Sequence, residues 1–186
     1  MKLAYQNPIP VAAHRGNAAY FPENTMASFR SAAELKPDMI ETDVHMTRDG
    51  ELILMHDHTV DRTTNGTGLI REKTLAEMRA LDAGSWKDET FRGEKVPTFR
   101  EFLEYFRAYP DMLFNIELKD YPADSGDFAY LSKKARKMLD EAGFPHCKIV
   151  ASNALDEYII RDMLMQGAKV DSFGVGERLI TARSEP

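Results

Sequence analysis

The chain has 186 residues, with 24 Lys or Arg against 30 Asp or Glu, and a formal net charge of −6. The length fits one domain with a sizeable core, and the acidic balance argues against a protein that neutralises a nucleic-acid backbone. No stretch approaches the roughly 18 apolar residues of a membrane span, the first ten residues lack the apolar region of a secretory signal, and the single Cys147 cannot form an internal disulfide. We therefore predict one cytoplasmic domain across 1–186, without a membrane span or a nucleic-acid partner.

Short β-rich runs alternate with helical stretches, as is typical of parallel α/β proteins. The pattern predicts strands at 9–13, 39–46, 52–55, 112–118, 148–151 and 170–173. Helices are expected from about residue 24, from Thr74, from Thr98 to about 108, at 127–142 and at 155–165. Thr74 and Thr98 are each followed by a Glu three residues later, which is the pattern of a capping box. Successive βα units can form a barrel or a doubly wound sheet, and in both folds ligands bind at the carboxyl ends of the strands.

Three carboxylates are expected to converge at these strand ends. Glu41 and Asp43 lie two residues apart on the second strand and so point the same way, and Glu117 shares a face of the fourth strand with Lys119. Like charges about 5 Å apart repel by roughly 3 kcal/mol at an effective dielectric near 20. A hard divalent cation with oxygen ligands would remove this repulsion. The sequence therefore predicts that Glu41, Asp43 and Glu117 bind Mg²⁺ or Ca²⁺.

Two histidines accompany this acidic cluster, because His14 ends the first strand and His56 follows the third. An imidazole titrates near neutral pH, so one can accept a proton while the other donates one. A metal, two imidazoles and the adjacent guanidinium of Arg15 suit phosphoryl transfer better than acyl transfer, and the chain has no GxSxG motif. Each residue alone also fits a structural role, and His45 is expected at the rim of the site.

Beyond these single residues, a series of motifs in one order resembles the glycerophosphodiester phosphodiesterase family. The resemblance covers about residues 9–145, and its motifs are AHRG at 13–16, PENT at 22–25, ETDVHMTRDGELILMHD at 41–57, DRTTNGTG at 61–68, LDAGSW at 81–86, VPTF at 96–99 and NIELK at 115–119. It implies a (β/α)₈ barrel, here incomplete with about six strand units. It also implies metal-dependent hydrolysis of glycerophosphodiesters to sn-glycerol 3-phosphate and an alcohol.

The resemblance assigns a role to each matching position. It implies that His14 and His56 are catalytic, and that Glu41, Asp43 and Glu117 bind the metal, Ca²⁺ or Mg²⁺. It also implies that Arg15 and Lys119 contact the substrate phosphate, and that Glu23 is a further carboxylate of the substrate site.

Residues 146–186 instead resemble the later part of nicotinate phosphoribosyltransferase, notably in SNALDEYII and DSFGVGERLIT. In that family the GVG segment binds phosphate, which points to Gly174 and Gly176. The parts of that family that hold nicotinate and most of the ribose phosphate have no counterpart here. We therefore expect the tail to continue the βα pattern as scaffold, in a natural fusion, a chimera or an assembly artefact.

Two alternatives to the enzyme remain open. The chain could be a non-catalytic module that binds phosphate ligands, or an inactive fragment, because its barrel is incomplete. A homo-oligomer could also form, in which two copies cover each other's open strand edges.

Overall fold

The chain alternates strands and helices in the predicted order. It is described by a computed structural model, which covers residues 9–119, 125–152 and 155–175. The strands are β1 (Ala12–His14), β2 (Met39–Met46), β3 (Leu52–Leu54), β4 (Leu113–Leu118), β5 (Ile149–Ser152) and β6 (Ser172–Gly174). The helices are α1 (Met26–Leu35), α2 (Leu75–Ala80), α3 (Phe99–Phe106), α4 (Ser125–Ala142) and α5 (Glu157–Met165), with short 3₁₀ turns at Ile70–Glu72 and Glu89–Phe91.

Five of the strands form a parallel sheet in the order β1-β2-β4-β5-β6. The register sets polar residues beside one another, because His14 is opposite Glu41 on β2 and Asp43 is opposite Glu117 on β4. Parallel neighbours end at the same edge of a sheet. Four of the predicted site residues are therefore collected by backbone pairing alone.

The third strand, β3, departs from this parallel order. It runs antiparallel to β2, with Leu54 opposite Val44, and lies off the path of the other strands. The six predicted strands are thus all present, but five of them form the parallel series. The turn at 47–50 allows a hairpin here, because Gly50 adopts a φ of 80° that strains residues with a Cβ.

Side-chain caps mark the starts of α1, α2 and α3. Thr25 accepts a hydrogen bond from the Ser28 backbone N–H at the start of α1. Thr74 and Thr98 both form complete capping boxes, with Glu77 and Glu101 respectively, so this sequence prediction is confirmed. Each such cap stabilises a helix by about 1 kcal/mol.

An aromatic cluster packs the helices against the sheet. Phe99, Phe102 and Phe106 lie along one face of α3 and are fully buried, as is Phe29 of α1. Phe102 and Phe106 both contact Phe114 of β4, with ring centroids 5.3 and 5.2 Å apart. This packing holds β2 and β4, which carry the acidic residues, on a rigid base.

The segment from β5 to β6 continues the same sheet and the same core. Ile149 and Ala151 are fully buried, and Met163 of α5 packs into the same cluster as Phe114. Gly174 is the last residue of β6, while Gly176 lies outside the described residues. Among the described helices, none combines the length and the apolar composition that a membrane crossing requires.

Candidate active site

The first part of the site is a tight turn directly after β1. Arg15 and Gly16 have φ values of 56° and 81°, and the Arg15 backbone N–H donates to Glu41 Oε2 over 2.9 Å. Ser28 closes the turn by donating its hydroxyl to the Arg15 carbonyl. A Cβ at position 16 would lie 2.4 Å from Ser28 Oγ and 2.9 Å from its carbonyl carbon. The His-Arg-Gly order therefore reflects a turn that only glycine can complete.

The three carboxylates predicted to bind metal do converge. Glu41, Asp43 and Glu117 each present an oxygen within 4.8 Å of the others, and the first two are buried. Burial, and next the repulsion from Asp43, raise the pKa of Glu41 to about 7. Asp43 Oδ1 is buried and forms no well-aligned hydrogen bond among the described residues, so the nearby Lys119 ammonium compensates it only through its charge. A buried acceptor of this kind is costly, and a hard cation with oxygen ligands fits it.

Two cations flank the carboxylates. Lys119 Nζ lies 3.2 Å from Asp43 Oδ1 and 2.8 Å from Glu117 Oε1. Arg15 reaches Asp43 Oδ2 with its Nε over 3.5 Å and donates to Glu23 over 2.9 Å. The site thus holds both signs of charge close together, an arrangement that can receive a metal ion together with a phosphate group.

The two predicted catalytic histidines lie on separate elements. His14 is largely exposed, and its Nε2 is 3.8 Å from Glu41 Oε2. His56 is about one-third exposed, and its Nδ1 is 2.7 Å from Asp57 Oδ1. β3 runs back along β2, and the Met55 backbone N–H donates to the Asp43 carbonyl. This bond places His56, the next residue, close to the Asp43 backbone.

His45 differs from its predicted place at the rim. It is buried, with 4% of its surface exposed, and its Nε2 lies 3.2 Å from the His56 carbonyl oxygen. Burial lowers its pKa to about 3, so the ring stays neutral. This contact indicates that His45 holds the backbone of the His56 loop and does not bind a ligand.

Three residues of the site have no assigned role in the sequence analysis. Asn24 is buried at a φ of 53°, donates to Asp43 Oδ2 over 2.9 Å and accepts from the Thr42 hydroxyl. Asp57 contacts His56, and Arg62 binds Asp57. An Asn in PENT was a usable signal, since Asn adopts the left-handed region more readily than most residues.

Comparison with known proteins identifies the relatives of this chain. Residues 14–153 match the model of the glycerophosphoryl diester phosphodiesterase family. A glycerophosphodiester phosphodiesterase of Caldanaerobacter subterraneus is 43% identical over 155 residues, which are 82% of this chain and 60% of that protein. A glycerophosphodiester phosphodiesterase of Bacillus subtilis is 38% identical over 77% of this chain and 52% of its own length. The chain thus spans between half and about three-fifths of these curated relatives.

Solved structures agree with this result. A phosphodiesterase from Oleispira antarctica, in complex with the product sn-glycerol 3-phosphate, superposes with a TM-score of 0.74 at 30% identity, over 90% of this chain and 66% of that one. A glycerophosphodiester phosphodiesterase from Agrobacterium tumefaciens gives a TM-score of 0.68 at 30% identity, over 88% and 65%. The parallel sheet is therefore an incomplete barrel of the (β/α)₈ type, as predicted.

A second relative accounts for the other resemblance. The nicotinate phosphoribosyltransferase of Bacillus subtilis is 62% identical over 63 residues, which are 34% of this chain and 13% of that protein. That span is longer than the predicted segment 146–186, and the phosphodiesterase model extends to residue 153. The two resemblances are real, whereas the boundary between 145 and 146 stays a prediction.

Proposed function

Since the chain belongs to the glycerophosphoryl diester phosphodiesterase family, we propose that it hydrolyses glycerophosphodiesters to sn-glycerol 3-phosphate and an alcohol. One observation carries the proposal: three carboxylate oxygens lie within 4.8 Å of one another, in contact with Lys119 and Arg15. A relative that superposes on this chain holds sn-glycerol 3-phosphate as its product. The alcohol group of the substrate is left open.

Each site residue receives a role within this proposal. Glu41, Asp43 and Glu117 hold the divalent cation, Ca²⁺ or Mg²⁺. When bound, that ion would polarise the phosphoryl group and offset the charge that develops on its oxygens. His14 and His56 exchange protons with the attacking and leaving oxygens, one as base and the other as acid.

Arg15 and Lys119 bind the non-bridging oxygens of the phosphate. Both cations already lie against Asp43, so a metal ion on the carboxylates would free them to face the substrate. Glu23 acts by holding Arg15, to which it is bonded over 2.9 Å. This gives Glu23 an indirect part in phosphate binding.

The test is release of glycerol 3-phosphate from glycerophosphocholine in Ca²⁺ or Mg²⁺, with and without EDTA. We expect the chelator to abolish release, and His14→Ala to abolish turnover while Ca²⁺ binding persists. His146→Ala is the matched control, because His146 is exposed and outside the site. Full activity in EDTA would refute the metal site. Binding of Ca²⁺ and substrate by the wild-type chain without turnover would instead support the non-catalytic module.

Two further expectations belong to the whole chain. We propose a cytoplasmic location because Cys147 is the single cysteine and cannot form an internal disulfide. Within the described residues, β1 and β6 each pair with one strand, so a homo-oligomer that covers these edges stays a proposal. Light scattering of the purified chain tests it, and a stable monomer would exclude it.

A further inference from the structure

Arg62 connects two acidic residues that lie far apart in sequence. Its guanidinium donates to both oxygens of Asp57, from Nε over 2.7 Å and from Nη2 over 3.0 Å. It also donates to both oxygens of Glu23, from Nη1 over 2.9 Å and from Nη2 over 2.7 Å. Planar, bidentate pairing of this kind fixes the orientation of a carboxylate as well as its position.

We call Arg62 with its two carboxylate partners, Asp57 and Glu23, the clamp. Its Asp57 side acts on His56. The bonds from Arg62, more than any other contact, lower the pKa of Asp57, so Asp57 is ionised and can only accept hydrogen bonds. Because Asp57 Oδ1 is 2.7 Å from His56 Nδ1, that nitrogen must carry the proton. The neutral ring then keeps a lone pair on Nε2, where a base needs it.

The Glu23 side of the clamp acts on the turn after β1. The Glu23 carboxylate accepts hydrogen bonds from the guanidinium groups of both Arg62 and Arg15. Burial raises the pKa of Glu23, but the hydrogen bonds and charges of the two guanidinium groups outweigh it and the net pKa is lowered. The clamp therefore ties the loop of His56 to the turn that carries His14 and Arg15.

We propose that Arg62 is a positioning residue that holds His56 in its Nδ1–H tautomer through Asp57 and fixes the spacing between the two histidine loops through Glu23. The proposal deepens the proposed function and rests on it for the chemical role of His56. Arg62 is not a phosphate ligand in this account, because its donors are directed to the two carboxylates. Its side chain is 43% exposed, and partly exposed ion pairs contribute little to stability, so its effect should fall on the site rather than on folding.

The experiment compares the wild-type chain with Arg62→Ala and Arg62→Lys. The ¹⁵N shifts of the neutral His56 ring report its tautomer, and the spectrum of His56→Ala assigns its signals among the five histidines. We expect the Nδ1–H form in the wild type and a mixture in Arg62→Ala. We also expect kcat to fall between about 10- and 100-fold with KM nearly unchanged. Lys cannot bond both carboxylates bidentately, so Arg62→Lys should recover only part of the rate.

Arg92→Ala is the matched control, because Arg92, like Arg62, lies between β3 and α3 and pairs only with exposed Glu89 among the described residues. It should leave both the ring spectrum and kcat unchanged. Should Arg62→Ala fail to fold, Arg62→Gln retains much of the side-chain length and serves the same comparison.

Two results would overturn the proposal. An unchanged His56 tautomer in the Arg62 variants would remove the link through Asp57. A raised KM at constant kcat would make Arg62 a substrate ligand instead. The ring spectrum does not require turnover, so a wild-type chain without phosphodiesterase activity would refute the proposed function and leave the clamp separately testable.

Discussion

At the scale of single residues, the site depends on backbone conformations that few side chains allow. Arg15 and Asn24 both have positive φ values, and each is held by a hydrogen bond to an acidic residue of β2. Such strain is tolerated only where surrounding contacts fix it. The bonds from the Arg15 N–H to Glu41 and from the Ser28 hydroxyl to the Arg15 carbonyl offset part of the cost of this turn.

Gly16→Ala should therefore be far more harmful than an alanine at another glycine of similar φ. The new Cβ meets both the hydroxyl and the backbone of Ser28, and the φ of 81° adds further strain. We expect the free energy of unfolding to fall by about 3 kcal/mol or more, measured by urea denaturation.

Gly143→Ala provides the control for this prediction. Gly143 has a φ of 95°, but no atom lies within 4 Å of the added Cβ. In Gly143→Ala the free energy of unfolding should fall by about 1 kcal/mol, from backbone strain alone. Equal losses in the two variants would show that contact with Ser28 is unimportant.

At the scale of elements, the loop between α2 and α3 is organised by one carboxylate. Asp82 accepts from the backbone N–H groups of Gly84, Ser85 and Gly93 and from the Ser85 hydroxyl. The bond from Ser85 N–H, followed by those from Gly84 and Gly93, holds the pKa of Asp82 well below its usual range. One side chain thus joins the two ends of this loop.

This shift predicts a pH-dependent contribution to stability. A carboxyl whose folded pKa is depressed stabilises the fold above its unfolded pKa, near 3.9, and loses that effect as pH falls. Asp82→Asn should lower the free energy of unfolding by about 1 kcal/mol at pH 7, after allowance for solvent screening. The difference from wild type should shrink steadily below about pH 4, as followed by thermal unfolding across pH.

Asp61→Asn is the comparison, since Asp61 lies in the loop before α2 and accepts one backbone hydrogen bond, from Gly68. The free energy of unfolding should fall less in Asp61→Asn than in Asp82→Asn at neutral pH. A pH-independent loss in Asp82→Asn would contradict the role given to the charge.

At the scale of the whole molecule, segments with two different resemblances share one sheet. Ile149 on β5 pairs with Ile116 on β4, and Glu117 is opposite Val150. Because β4, which carries Glu117 of the carboxylate cluster, is bonded to β5, which lies in the predicted tail, we expect residues 1–186 to behave as a single domain.

Ile149→Ala tests this expectation. Ile149 is fully buried, so its truncation should cost about 3 kcal/mol. Trp86, the single tryptophan, reports on the earlier segment by fluorescence, while circular dichroism reports on the entire chain. Both probes should shift to the same lower urea midpoint.

Leu164→Ala is the control in the same segment, because Leu164 is 52% exposed. Its free energy of unfolding should differ from that of the wild type by no more than about 0.5 kcal/mol. Separate midpoints for Trp86 fluorescence and circular dichroism in Ile149→Ala would indicate two independent units.

Much of the fold and of the site could be predicted from sequence because the signals are local or periodic. Alternating apolar runs gave the order of the elements, and the boxes at Thr74 and Thr98 gave two helix starts that the structure places at the same residues. Carboxylates two residues apart on a strand must share a face, so the cluster at Glu41, Asp43 and Glu117 followed from the strand assignments.

What remained hidden depends on contacts between distant parts of the chain. The direction of β3 was not among these features, because only five residues, 47–51, separate β2 from β3 and a parallel crossover needs about a dozen or more. Arg62 and Glu23 are joined only when the loop after β3 folds back over the turn after β1. By itself the sequence determined the elements and the chemistry of the site, since propensity and periodicity act locally. Only the tertiary structure decided which side chains hold His56 in place, because the bonds from Arg62 to Asp57 and Glu23 depend on how distant loops pack together.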